Sequence, residues 1–384
     1  MKIAFYSPLK PYDHKIASGD RNIARLLIKI LKDSKNEIII PSKFRSYSKH
    51  PNNQKNILEL SINEKNNVHK ILKDKKPDLW FTYHNYYKAP DYIGSFVSKK
   101  LSIPYIIAEA SYAKKRENGE WKVGSDAAHE SILSATSIIN FTTRDREGIE
   151  KIFKKKLLNF ILPPFPDTSI FTKIENSKEM LREKISKKYK IPKNLSWILS
   201  VGMMRDDFSK VSSYRILAET VKYINKEFVL LIVGSGPKLD YIKQQLYESI
   251  GKKVFFLGET NPPDLAEIYN SCDIFVWPGV NEAFGLAFLE AQACGLPVVG
   301  GNYGGISEVI QDSVTGFVSD VDENNIKSFA NKINKILNNK FLREKMGNAG
   351  RNFIKQNRNL EKTAQNLNTI ISLTTQDFKD KIND

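Results

Sequence analysis

The stretch NEAFGLAFLEAQACGLPVVGGNYGGISEVI, residues 281–310, sets two carboxylates, Glu282 and Glu290, inside one of the most apolar and glycine-rich parts of a chain otherwise full of lysine. Just before it, DIFVWP reads as a buried strand that ends at Pro278, and the apolar period resumes as a helix from about Gly285. Glu282 then falls in the connecting loop and Glu290 more than one turn inside the helix. The first amides of a helix lack intrahelical acceptors, so the N–H groups of Phe284, Gly285 and Leu286 form a mouth for an anion. Gly285 lets a ligand approach the backbone closely. Carboxylates accept hydrogen bonds in pairs, which suits the vicinal hydroxyls of a sugar or ribose. The segment thus offers room for a diphosphate with hydroxyl-binding groups beside it.

Working outward, short runs rich in Val, Ile and Phe alternate with helical patterns along the whole chain. IAFYS, EIIIP, LWFTYH, PYIIAEA, SIINFT and LNFILP mark the first half; WILSVG, FVLLIVG, VFFLG, DIFVWP and PVVGG mark the second. Segments 20–33, 62–75, 210–226 and 262–271 between them are periodic enough for helices. Strict alternation of this kind predicts an α/β protein with parallel sheets covered on both faces. The Pro-rich turn ILPPFPD (161–167) and the charged stretch 173–194 break the rhythm once. The expected domains are therefore 1–170 and 171–384, two doubly wound units that bind ligands at the carboxyl ends of their strands, with a C-terminal helix at about 359–384 packing back on the first.

Charge is unevenly placed. Of the net +16, residues 1–200 hold 38 Lys+Arg against 21 Asp+Glu, or +17, whereas residues 201–384 hold 21 against 22, or −1. Such asymmetry suits an anionic partner for the first half, be it nucleic acid, a membrane surface or a phosphorylated substrate, and equally suits a lysine-rich solvated surface. No zinc-ligand spacing, aromatic RNA signature or helix-turn-helix supports nucleic acid. The two cysteines, Cys272 and Cys294, lie in apolar runs, which argues against a disulfide framework and for a reducing, cytoplasmic location. The opening MKIAFYSPL reads as a strand rather than a signal peptide, and no stretch reaches the roughly 18 apolar residues of a membrane-spanning helix.

Two loops add chemistry. LLIVGSGPKLD places Gly234 and Gly236 after a strand, but Leu239 stands where a dinucleotide fingerprint needs its third glycine, so a tight turn is the expectation. SVGMMRDDFSK brings Arg205 and Lys210 to the carboxyl end of another strand, where two cations form a phosphate clamp. The lone Asp-x-Asp, at 320–322, precedes a helical run and reads as a cap rather than a metal site. No metal and no cofactor are expected, because two cations and a helix start can neutralise a diphosphate.

NEAFGLAFLE is similar to the E-x7-E signature of the retaining glycosyltransferases of family 4. The resemblance runs through VGMMRDDFSK, LLIVGSGP, VFFLG, AQACGLPVVGGNYGGISEVI and TGFV, in order, from residue 199 to 318. It implies the GT-B architecture, two Rossmann-like domains facing a central cleft, and transfer of a sugar from a nucleotide-diphosphate-sugar donor to a glycan or lipid-linked acceptor with retention at the anomeric carbon. Carried over by motif, Glu282 bonds the donor sugar, Glu290 the ribose, and Arg205 with Lys210 the diphosphate. In the first half, SGDR (18–21) stands where the family often has a glycine pair, so only Gly19 remains for the donor phosphates. The family histidine of the first domain has no counterpart in EASYAKKR; His84 is the nearest catalytic candidate, a packed core histidine the competing reading, and Glu109 a third group for that corner. A GT-B epimerase and a non-catalytic sugar-nucleotide-binding module are the alternatives. The helical run RNIARLLIKILK, with Arg21, Arg25, Lys29 and Lys32 on one side and Ile23, Leu26, Leu27 and Ile30 on the other, together with Lys114, Lys115, Arg116 and KKK at 154–156, suggests peripheral association with the inner membrane face.

Overall fold

The computed structural model describes residues 1–16, 18–152, 157–172, 176–322 and 325–383. The chain forms two compact units, 1–163 joined by 361–384, and 164–360. The observed division falls between Pro163 and Pro164, just ahead of the expected 170/171, and the charged stretch 178–189 is a helix of the second unit.

In unit 1 the strands are β1 (Lys2–Tyr6), β2 (Glu37–Ile39), β3 (Leu79–Asn85), β4 (Tyr105–Ala110), β5 (Ser137–Asn140) and β6 (Leu158–Ile161), paired in parallel in the order β2-β1-β3-β4-β5-β6. In unit 2 they are β7 (Ser196–Val201), β8 (Phe228–Val233), β9 (Val254–Gly258), β10 (Ile274–Trp277), β11 (Val298–Gly301) and β12 (Gly316–Ser319), in the order β12-β11-β10-β7-β8-β9, also parallel. The central strands are apolar and buried almost end to end because helices cover both faces of each sheet. The order reverses between β1 and β3 in unit 1 and between β7 and β10 in unit 2. At such a reversal the loops leaving the two strands diverge and open a crevice.

Local chemistry fixes the helix starts. Ser18 caps the helix Gly19–Asp33 by accepting from the Arg21 amide at 3.2 Å, and Ile23, Leu26, Leu27 and Ile30 are buried, as their spacing predicts. Its basic side is less open than the sequence suggests. Arg21 donates to the carbonyl of His14 at 2.7 Å, Arg25 donates to that of Tyr12 at 2.7 Å, and Lys29 is also engaged. Two of the ridge's cations thus satisfy carbonyls of the loop before the helix. Arg116 lies over the Tyr87 ring, while KKK at 154–156 falls in the undescribed 153–156. The helix expected at 62–75 begins at Gln54, behind a single turn at Pro51–Asn53; the one expected at 210–226 runs over Phe208–Val221, capped by Asp207.

In unit 2 backbone lies against backbone where the loops meet. A Cβ on Gly234 would sit 2.0 Å from the Gly202 carbonyl oxygen, and one on Gly304 would sit 1.9 Å from that of Glu282, with Gly304 at φ +54°. Glycine is required at both. Gly19, by contrast, has nothing within 4 Å of an added Cβ. Gly304→Ala should therefore destabilise unit 2 by more than about 1 kcal/mol, whereas Gly19→Ala, in a helix, should be neutral or slightly stabilising. Thermal unfolding of the two variants beside the parent chain measures both.

Candidate functional site

The unit 2 crevice is lined by what leaves β7 and β10. After β7 the chain runs through Gly202–Arg205 to Asp207, whose Oδ1 accepts from the Lys210 amide at 2.9 Å and so starts the next helix. After β10, Gly279, Asn281 and Gly285 all take left-handed φ values of 64°, 52° and 66°, winding the loop tightly. This loop is anchored from two directions. Val280 donates to the Ser213 hydroxyl at 2.9 Å, and Gly305 donates to the Ala283 carbonyl at 2.7 Å.

The loops bring together two residues 72 positions apart. Lys210 Nζ donates to Glu282 Oε2 at 2.7 Å, with the two side chains 19% and 24% exposed. Trp277 Nε1 lies 3.4 Å from the same oxygen, and Lys210 Nζ sits 5.2 Å from the centre of the Trp277 ring. The sequence gives these residues separate roles, phosphate and sugar, whereas the structure pairs them. Arg205 stands outside the pair: it is exposed, with Nη2 3.3 Å from Sδ of Met203.

Gly285 precedes the helix Leu286–Ala293, and a Cβ there would meet the Phe288 ring at 2.7 Å. Phe284 and Leu286 pack partly buried against the core. Glu290, within that helix, is partly buried and takes the Tyr269 hydroxyl at 3.1 Å. Burial pushes its carboxyl from the ordinary 4.5 up to about 7, with the Tyr269 hydrogen bond opposing the rise. Neither Tyr269 nor Trp277 stands out in the sequence; each reads there as an ordinary core aromatic.

Gly234 and Gly236 pack against the neighbouring loop: Met204 donates to the Ser235 carbonyl at 2.9 Å and Lys238 donates to that of Met204 at 3.0 Å. Asp320 accepts from Asn302 and Asp322 accepts from the Asn325 amide, both in the manner of turn and cap residues.

In unit 1 the crevice between β1 and β3 holds a second cluster. His84 is the penultimate residue of β3 at φ +71°, Glu109 the penultimate residue of the adjacent β4 at φ +62°, and Asp20 lies in the first turn after Gly19. His84 Nδ1 is 3.6 Å from Asp20 Oδ1 and 3.7 Å from Glu109 Oε2. Asp20 is the member that sequence reading passed over, although it sits within SGDR.

Both six-stranded sheets and their helices match GT-B glycosyltransferase structures. Sucrose-phosphate synthase from Thermosynechococcus elongatus superposes with a TM-score of 0.74 over 97% of this chain and 98% of its own, at 18% identity. Anabaena HepE in complex with UDP gives 0.73 over 97% and 100%, at 17% identity. The model of the family "Glycosyl transferases group 1" matches residues 181–353, all within unit 2. The N-acetyl-alpha-D-glucosaminyl L-malate synthase of Bacillus anthracis is 33% identical over 151 residues, 39% of this chain and 39% of that protein. Matches to three such curated relatives span only 30% to 55% of the relatives' own length.

The Glu290 shift has a stability consequence. Its folded pKa lies above the unfolded value, so the contribution is complete below about 4.5 and is lost as pH rises through about 7. Glu290→Gln should match the parent chain near pH 4 and exceed it near pH 8.5 by on the order of 2 kcal/mol, read from paired unfolding curves.

Proposed function

We propose that the protein is a glycosyltransferase that moves a sugar from a nucleotide-diphosphate-sugar donor to a glycan or lipid-linked acceptor with retention of anomeric configuration. The observation that carries this reading is the Lys210–Glu282 pair beside the start of the helix Leu286–Ala293, at the strand reversal of unit 2. In this reading Lys210 and Arg205 meet the diphosphate, joined by the first-turn amides near Phe284, Gly285 and Leu286. Glu282, released from Lys210 when phosphate takes the cation, accepts from the sugar hydroxyls, and Glu290 accepts from the ribose. His84 is the catalytic group of unit 1. Among the described residues no group of three or more His, Cys, Asp or Glu could hold a metal ion, and the reading routes no step through one.

The decisive experiment is a panel of nucleotide-sugars, scored first by thermal shift and then by turnover. Transfer with a product of the donor's anomeric configuration, seen by proton NMR, supports the proposal; isomerised donor supports an epimerase, and binding without turnover a sugar-nucleotide module. Within the panel, Lys210→Ala and Arg205→Ala should each weaken nucleoside diphosphate binding by about 1.5–3 kcal/mol. Glu282→Ala should spare the free nucleotide and damage turnover. Affinity for nucleotide should rise with pH across about 7 in the parent chain, as Glu290 ionises, and be flat in Glu290→Gln.

The membrane part of the reading rests on exposed Lys114 and Lys115 and on the charge of unit 1. Among the described residues no helix is long and apolar enough to cross a membrane, and the attachment proposed is peripheral. Pelleting with anionic liposomes should fade as salt shortens the screening length toward about 8 Å, and neutral liposomes should not pellet the protein.

A further inference from the structure

The cluster at the mouth of unit 1 carries one step more. Two adjacent strands each carry, one residue before their ends, a non-glycine residue in the left-handed region, His84 and Glu109. Such backbone costs on the order of 1 kcal/mol or more at each residue and persists where the surroundings enforce it. Both carboxylates, Glu109 and Asp20, approach one nitrogen of the His84 ring. His84 Nδ1 and Glu109 Oε2 are then buried from solvent, and neither has a hydrogen-bond partner. They face each other at 3.7 Å, with Asp20 Oδ1 3.6 Å from the same nitrogen. A small rotation of either side chain converts this spacing into a charge-assisted hydrogen bond.

We propose that Glu109 and Asp20 are positioning residues for His84: they hold the proton on Nδ1, which fixes the ring and turns Nε2 toward a sugar hydroxyl bound in unit 1. The two ring nitrogens of a histidine are set against each other in this way whenever a carboxylate engages one of them. The surroundings are consistent. Tyr83 and Tyr86 flank the imidazole with ring centres 5.8 and 4.9 Å away, leaving its side chain 16% exposed. Burial raises the Glu109 carboxyl above its ordinary value; the charges of Asp20 and Asp145 add to the rise, while His84 and a hydrogen bond from Tyr83 oppose it. Glu109 therefore gains from engaging Nδ1–H.

The identity of the hydroxyl as a sugar's rests on the transferase reading; the placement of the proton does not. The test has two parts. In the full chain labelled with 15N-histidine, the His84 signals, assigned by their loss in His84→Gln, should report the proton on Nδ1 near pH 7.5. The double variant Glu109→Met, Asp20→Ala should release it to Nε2, whereas Glu109→Gln, which keeps an accepting oxygen, should retain much of it. The same tautomer in the parent and double variant, or Nε2–H in the parent, overturns the proposal. In turnover, Glu109→Met should lower kcat at least tenfold with UDP affinity within twofold of the parent, and Glu109→Gln should recover part of the loss. Loss of transfer with donor hydrolysis preserved assigns the hydroxyl to the acceptor, and loss of both assigns it to the donor. A kcat unchanged in Glu109→Met also overturns the role. A parent chain inactive on every donor defeats the transferase reading while the NMR still decides the placement of the proton.

Discussion

A right-handed crossover places its helix on one face of a parallel sheet, so a sheet with helices on both faces must reverse its strand order somewhere, and above that reversal the chain leaves an opening. Nearly every functional feature of this protein descends from that constraint. Unit 2 reverses between β7 and β10, and Lys210 and Glu282 come from the two loops that part there. Unit 1 reverses between β1 and β3, and Asp20 comes from the helix that follows β1 while His84 stands at the carboxyl end of β3. Neither grouping needs specialised backbone machinery beyond a few left-handed residues.

The two openings handle charge differently. In unit 2 a cation and a carboxylate are already joined, with an indole along one side. In the proposed reading an arriving anion takes the lysine and frees the carboxylate to accept hydrogen bonds. In unit 1 two carboxylates converge on one imidazole nitrogen without closing a hydrogen bond. That arrangement is underpaired, and its buried atoms carry the cost of desolvation that a proton between them relieves.

The strands were legible because parallel sheets buried on both faces leave uninterrupted runs of Val, Ile, Leu and Phe. LWFTYH and FVLLIV announce themselves at the level of single residues. Helix Gln54–Lys75 was half hidden, since its first two turns, QKNILELS, present Leu58 and Leu60 to solvent and break the expected period. The Lys210–Glu282 contact was hidden for a different reason. It depends on β10 lying beside β7 rather than beside β9, a choice of strand order that no local pattern encodes. The placement of Arg21 and Arg25 against loop carbonyls was equally out of reach, because a helical wheel registers where a side chain starts and not which carbonyl it finds. Glu290 shows the same limit: eight residues after Glu282 it reads as a free acid, and only the packing of its helix raises its carboxyl toward neutrality.

The division of the chain carries a last consequence, for the order in which the molecule is made. Unit 2 is one continuous stretch, whereas unit 1 is completed by the helix Leu360–Asn383, which is synthesised after unit 2. Thr374 of that helix hydrogen-bonds Ser137 at 2.7 Å across 237 positions, both residues fully buried. During translation the segment made first therefore waits, with the start of β5 uncovered, while the later segment closes on itself. Domains that fold as the ribosome delivers them usually finish in sequence. Here the first to begin is the last to finish, so the nascent first half spends the whole synthesis of the second within reach of chaperones.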